Sequence, residues 1–170
     1  MDFFKFIRDV PDFPKAGIIF KDITPLLGDG KAFSALIETF GKHYKDSGIT
    51  RICGIESRGF IIGAALAAYM GVGFVPIRKA GKLPYEKIKR EYSLEYGTDA
   101  IEMHSDAVNR GEKILLIDDL IATGGTALAA VSMLEDAGAE VVGVAFVIEL
   151  EFLKGREKFG SRKLFSLLKY

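Results

Sequence analysis

Apolar residues in this chain fall in short unbroken runs divided by polar turns, a pattern that fits strands buried on both faces. The clearest run, Ile114, Leu115, Leu116 and Ile117, stops at two adjacent acids, Asp118 and Asp119. Thr123, Gly124, Gly125 and Thr126 follow, and residues 127–137 then carry Ala and Leu at helical spacing. The order is strand, acid pair, glycine turn, helix. Further runs predict strands over residues 51–55, 74–77, 100–103, 140–148 and 163–168. Helical spacing predicts a short amphipathic helix over 3–8, ended by Pro11 and Pro14, and longer ones over 33–45 and 61–70. Residues 16–25 read as an exposed loop or edge, because Lys21, Asp22 and Pro25 interrupt their apolar positions. Residues 78–97, rich in Lys, Arg, Glu and Tyr with Gly81 and Pro84, read as a mobile, solvated flap. Strands alternating with helices make this an α/β chain: a single domain with a mainly parallel sheet flanked by helices, and a β-rich or irregular hood.

Size and charge narrow the picture. With 170 residues the chain fits one domain, long enough to bury a core without staples. Its 23 basic and 23 acidic residues balance, so no global field argues for nucleic acid or an anionic membrane, and any anion site must be local. The single Cys53 lies in an apolar run, which excludes an internal disulfide and fits a reducing, cytoplasmic location. Charges interleave with aromatics at the N-terminus, unlike a secretory signal. Residues 60–77 are uncharged and just reach membrane-spanning length, but Gly63, Gly71, Gly73 and Pro76 divide them into a helix, a turn and a strand. A soluble protein is expected.

The chemistry concentrates after the strand over 114–117. Ligands of an open parallel sheet gather outside the carboxyl ends of its strands, and a helix N-terminus there presents unpaired N–H groups to an anion. A phosphate monoester fits the glycine turn. The two acids suit neutral hydroxyls or part of a Mg²⁺ shell better than a shared-proton dyad, because neighbours on a strand point to opposite faces. A ribose phosphate satisfies the whole stretch. Ile55-Glu56-Ser57-Arg58-Gly59-Phe60 repeats the strand, polar turn and glycine pattern, and offers a second anion site where the Arg fork suits phosphate. Taken alone, Arg78, Lys79 and Lys82 are an ordinary solvated cluster, Phe20 an ordinary core aromatic, and Glu95 an ordinary loop acid. His43 and His104 lack ligand-like spacing.

Five segments between Asp12 and Thr126, in this order and at this chain length, resemble the type I phosphoribosyltransferases. The resemblance implies that family's fold, with a base-binding segment at 12–25, a flexible flap at about 79–97 and a sugar-phosphate loop at 118–126. It implies purine salvage, in which 5-phospho-α-D-ribose 1-diphosphate donates its phosphoribosyl group to adenine, giving AMP and diphosphate. Asp118, Asp119 and Glu95 are then the catalytic candidates, Glu95 through the purine N7, and Tyr96 lines the closed flap. Ala122, Thr123, Gly124, Gly125 and Thr126 hold the 5′-phosphate. Glu56, Ser57, Arg58 and Gly59, with Arg78, Lys79 and Lys82, hold the diphosphate. Ile19, Phe20 and Lys21 meet adenine, Phe20 by stacking. The family commonly has Arg where this chain has Lys21, so backbone contacts carry the expectation there. Mg²⁺ is expected, bound mainly through the sugar diphosphate with no direct protein ligand, and a homodimer is implied. A sister enzyme for another base would lack the segments around Phe20 and Glu95. A regulator that senses the sugar diphosphate needs a nucleic-acid-binding region with no counterpart here. Gly28-Asp29-Gly30-Lys31-Ala32 lacks both the spacing and the hydroxyl of a nucleotide P-loop.

Overall fold

The structure, a computed structural model, describes residues 1–93 and 97–170. Its centre is β7 (Lys113–Ile121), which lies between β3 (Arg51–Ile55) and β8 (Glu140–Glu149). Both neighbours run parallel to it, as do the flanking β4 (Gly73–Lys79) and β9 (Leu164–Lys169). At the β4 edge the hairpin β5 (Lys87–Ser93) and β6 (Thr98–His104) adds two antiparallel strands, which gives the order β5-β6-β4-β3-β7-β8-β9. Of the segment read as a flap, Arg78 and Lys79 end β4 and residues 87–93 form β5. A separate antiparallel hairpin, β1 (Arg8–Pro11) with β2 (Ile19–Asp22), precedes a short helix α1 (Thr24–Gly28).

Alternation on the parallel strands sorts the core into two layers. Ile114 and Leu116, with Val144 and Phe146, face α4 (Gly125–Asp136), where they meet Ala130, Met133 and Leu134. Leu115 and Ile117, with Ala145 and Val147, face α2 (Gly30–Tyr44) and α3 (Arg58–Met70), where Leu36, Phe40, Ile62 and Leu66 pack. Both faces are buried, so the run of branched residues over 114–117 needs no polar partner face.

The helices begin and end for local reasons. Asp29 caps α2, its carboxylate accepting from the N–H groups of Lys31 and Ala32 at 3.0 and 2.9 Å. α3 ends at Gly71, whose φ of 69° is left-handed; the Val72 N–H returns to the Ala67 carbonyl at 3.0 Å. Close approach of α3 to the sheet rests on glycine: a Cβ on Gly63 would stand 2.7 Å from the Phe74 ring and 3.0 Å from Ile117.

Two expectations are corrected and one is resolved. The helix over 3–8 is only a 3-10 helix, Phe3–Phe6, because Arg8 is drawn into the hairpin, where its guanidinium meets the Asp22 carboxylate at 2.6 Å. Of the loop or edge read over 16–25, an edge strand forms: β2, paired in register with β1. The central strand does not stop at Ile117, because β8 continues the ladder as far as Ile121. None of the described helices is long and apolar enough to cross a membrane. Cys53 is buried in β3, and burial pushes its thiol up to about 12.

Gly63→Val should lower the unfolding free energy by about 1–3 kcal/mol, as overpacking in a rigid contact does. Urea titration followed by circular dichroism checks it, and an unchanged midpoint would show that α3 can slide off Phe74.

Candidate active site

A cavity of about 790 Å³ opens at the carboxyl ends of β3 and β7. Glu56, Ser57 and Arg58 line it from the turn after β3, Lys79 and Lys82 from the end of β4, and residues 118–127 from the end of β7. The structure therefore brings both predicted anion turns and both acids into one hollow.

The loop after β7 supplies donors. Gly124 has a φ of 78°, a left-handed conformation that glycine adopts without cost, and turns the chain into α4. No side chain caps this helix, in contrast to Asp29 on α2. The Leu128 N–H is already bonded to the Gly124 carbonyl at 2.9 Å. The amides before it lie at the positive end of the helix dipole, beside the cavity, and a phosphate can accept from them.

The acids sit on regular strand and are held differently. Asp118 Oδ1 accepts from the Asp119 N–H at 2.9 Å. A Cβ on Gly59 would come within 2.8 Å of that same oxygen, so only glycine lets the first turn of α3 lie against β7 here. Asp119 is 5% exposed, with its Oδ2 2.8 Å from Arg58 Nε. The contact is not aligned as a hydrogen bond, so this buried oxygen has a charge partner but no directed donor. Burial and the neighbouring Asp119 charge push the Asp118 carboxyl well above the usual carboxylate range. Burial raises Asp119 as well, while the Arg58 charge pulls it back. An acid with a spare, desolvated oxygen is suited to accept from a sugar hydroxyl.

Glu56 organises the cations. Burial works against its ionisation, yet Lys82 Nζ at 2.6 Å, the Lys79 N–H at 3.0 Å and the Arg78 guanidinium at 3.3 Å outweigh it and hold the carboxyl at about 2. Glu56 pairs with Arg78 and Lys82, and Arg58 with Asp119. Arg78 also donates to the Lys82 carbonyl at 3.1 Å and does not line the cavity, whereas Lys79 and Lys82 do.

Of the base-binding candidates Ile19, Phe20 and Lys21, none lines the cavity, and Phe20 alone touches a residue that does. Phe20 packs edge-on against Phe13 at 5.2 Å, and the Arg58 guanidinium lies 5.0 Å from its ring, which joins β2 to the anion turn. Ile19 is 55% exposed. Lys21 points elsewhere, bonded to Asp9 at 2.7 Å and lying 3.9 Å above the Tyr170 ring. Glu95 and Tyr96 lie outside the described residues.

Sequence reasoning missed Tyr92 and Asp99, which line the cavity from the β5-β6 hairpin. The Tyr92 hydroxyl donates to Asp99 at 3.1 Å and meets the Thr126 side chain. Period-two spacing of Ile88, Arg90 and Tyr92 was the available signal, since Ile88 and Tyr92 pack on the α4 layer and Arg90 pairs with Asp136. His43 stacks on Phe165 at 4.0 Å, far from these groups in the fold.

Known proteins resemble this chain in sequence and fold. The phosphoribosyl transferase domain family matches residues 27–167. An adenine phosphoribosyltransferase of Halothermothrix orenii is 57% identical over 168 residues, 99% of each chain. The crystal structure of adenine phosphoribosyltransferase from Thermoanaerobacter pseudethanolicus superposes with a TM-score of 0.96 at 48% identity, covering 99% of this chain and 98% of that one. The Saccharomyces cerevisiae enzyme, solved with an imino-altritol bisphosphate and adenine, gives 0.92 at 41% identity, over 98% and 96% of the two chains. A glycine turn, an acid pair and a cation cluster in one hollow, with relatives alike from end to end, place this chain in the phosphoribosyltransferase family, among its adenine phosphoribosyltransferases.

Proposed function

We propose that the cavity transfers the 5-phosphoribosyl group of 5-phospho-α-D-ribose 1-diphosphate to adenine in purine salvage, giving AMP and diphosphate. One observation carries this reading: an uncapped helix N-terminus stands a short turn from an acid pair whose buried member, Asp119, has an Oδ2 without a directed donor. A 5′-phosphate satisfies the first and ribose hydroxyls the second.

In this reading a ring nitrogen of adenine bonds to the anomeric carbon and gives up its proton, while the bond to the diphosphate oxygen breaks with its electron pair. Positive charge grows on the sugar and negative charge on the leaving group, so the protein's task is electrostatic. Arg58, Lys79 and Lys82, with the backbone of residues 56–59, stabilise the departing diphosphate. Arg78 acts through Glu56 and the Lys82 carbonyl, which it holds in place. Asp118 and Asp119 hold the ribose and favour its cationic form, and residues 122–126 hold the 5′-phosphate. Adenine stacks on Phe20 and meets backbone groups of Ile19 and Lys21, while Glu95 bonds its N7 and Tyr96 closes the flap side. The yeast relative's complex with adenine supports the choice of base.

Mg²⁺ belongs to this proposal as a companion of the sugar diphosphate, whose charge it neutralises when bound. In this reading the roughly six oxygens such a hard cation takes come mainly from the diphosphate and from water. The same reading gives a homodimer in the cytoplasm that binds neither nucleic acid nor membrane. α3 supports the dimer: Ile61 and Tyr69 are 45% and 54% exposed on a helix that carries no charge after Arg58. Light scattering should return twice the 18.6 kDa chain mass, and the monomer mass would refute the pairing.

AMP should form from adenine and the sugar diphosphate with Mg²⁺, and excess hypoxanthine or guanine should leave the rate unchanged. Asp119→Asn should cut turnover by about a hundredfold, the scale of losing one placed transition-state contact, with the melting temperature retained. Full activity in that variant would remove the ribose assignment.

Glu56 gives a pH signature. Its folded pKa, about 2, lies below the usual 4.5, so its bonds stabilise the fold above 4.5, and that contribution is lost as pH falls towards 2. The gap in urea midpoint between the parent protein and Glu56→Gln should be present at pH 7 and shrink through this window; a constant gap would deny the ion cluster its role.

A further inference from the structure

We propose that the turn after β8 is a buttress that sets the shape of the phosphate loop, with Gly155 and Arg156 as positioning residues. The inference rests on the reading that residues 122–126 hold the 5′-phosphate.

The loop has a ligand-facing side and a back. Its back is covered by a 3-10 helix, Gly155–Phe159, at backbone contact distance. A Cβ on Gly155 would lie 2.2 Å from the Ala122 carbonyl oxygen and 3.0 Å from the Gly124 amide nitrogen. Seen from the other side, a Cβ on Gly124 would lie 2.7 Å from the Gly155 carbonyl and 3.2 Å from the Phe159 ring. Neither backbone can retreat freely. The Leu150 N–H ties the start of the loop by donating to the Ile121 carbonyl at 3.0 Å, and Phe159 is 1% exposed in the α4 core layer. Glycine at 155 is required by contact, and any side chain there must shift the Ala122 carbonyl and with it the backbone of the loop.

Arg156 fixes the turn in space. Its guanidinium donates to both oxygens of Glu149 at 2.8 and 2.5 Å, to the Leu164 carbonyl at 2.8 Å and to the Ser166 hydroxyl at 3.3 Å. Glu149 is 4% exposed and is register partner to Ile121 on one side and Lys169 on the other. One side chain therefore locks the turn to β8 and β9 together, and the turn sets the height of the loop. Arg156 does not line the cavity, so its effect on a ligand must pass through the loop.

The test compares AMP with adenosine, which differ by the 5′-phosphate, in competition against the sugar diphosphate for the purified full chain. The parent protein should favour AMP strongly. Gly155→Ala should shrink that preference and raise KM for the sugar diphosphate by about tenfold or more, as a misplaced group does, with adenosine affinity and KM for adenine unchanged. Arg156→Lys, which keeps the charge and loses the fork, should act in the same direction more weakly, and it carries the test if Gly155→Ala fails to fold. A full AMP preference in a folded Gly155→Ala, or in Arg156→Lys where Gly155→Ala does not fold, would overturn the buttress and leave the phosphate assignment standing. No preference in the parent protein would overturn the phosphate assignment, and the buttress with it.

Discussion

The hydrogen-bonded ladder on both sides of β7 is the constraint on which the site depends. β3 holds one edge of the strand and β8 the other, and the β8 ladder runs past Asp118 and Asp119 to Ile121. Two buried acids on a free loop would turn outward to recover their hydration. On a strand paired at its end they cannot, and the cost of burial appears as raised proton affinity, offset at Asp119 by Arg58. The rigid strand keeps both acids next to amide donors of the opposite polarity, a few residues along the same chain.

Charge balance explains how so polar a hollow persists. Arg58, Lys79 and Lys82 line it, and Asp119, Asp99 and Glu56 answer them at 2.8, 3.9 and 2.6 Å. Each of the three cations thus meets an anionic partner across the hollow. The β5-β6 hairpin belongs to the same balance, since Tyr92 and Asp99 bring its underside to Thr126 and Lys79.

Much of this was legible in the sequence because local signals and tertiary needs agree. The run over 114–117, the glycine turn and the helix after it are each specified by their own residues, and the sheet asks nothing different of them. Asp118 and Asp119 were legible as a pair ahead of the glycine turn, but the strand's true end at Ile121 was not, because it is set by a register with β8. The β1-β2 hairpin was hidden for the same reason: Arg8 and Asp22 meet across 14 positions of sequence, and no periodicity records that. The partners of Glu56 come from β4 and the turn beyond it, more than twenty positions away, which no local pattern records. Contacts between glycine backbones, such as Gly124 with Gly155, leave no composition signal at all.

Cys53 lies in β3, two residues before the strand's end, in the core layer shared with α4. With its thiol shifted to about 12, almost none is thiolate at neutral pH, so oxidants and alkylating reagents find no nucleophile in the folded molecule. Modification requires the central sheet to part first. The lone sulfur is thus a built-in clock for global opening, blind to motions of the hood or of the loops around the cavity.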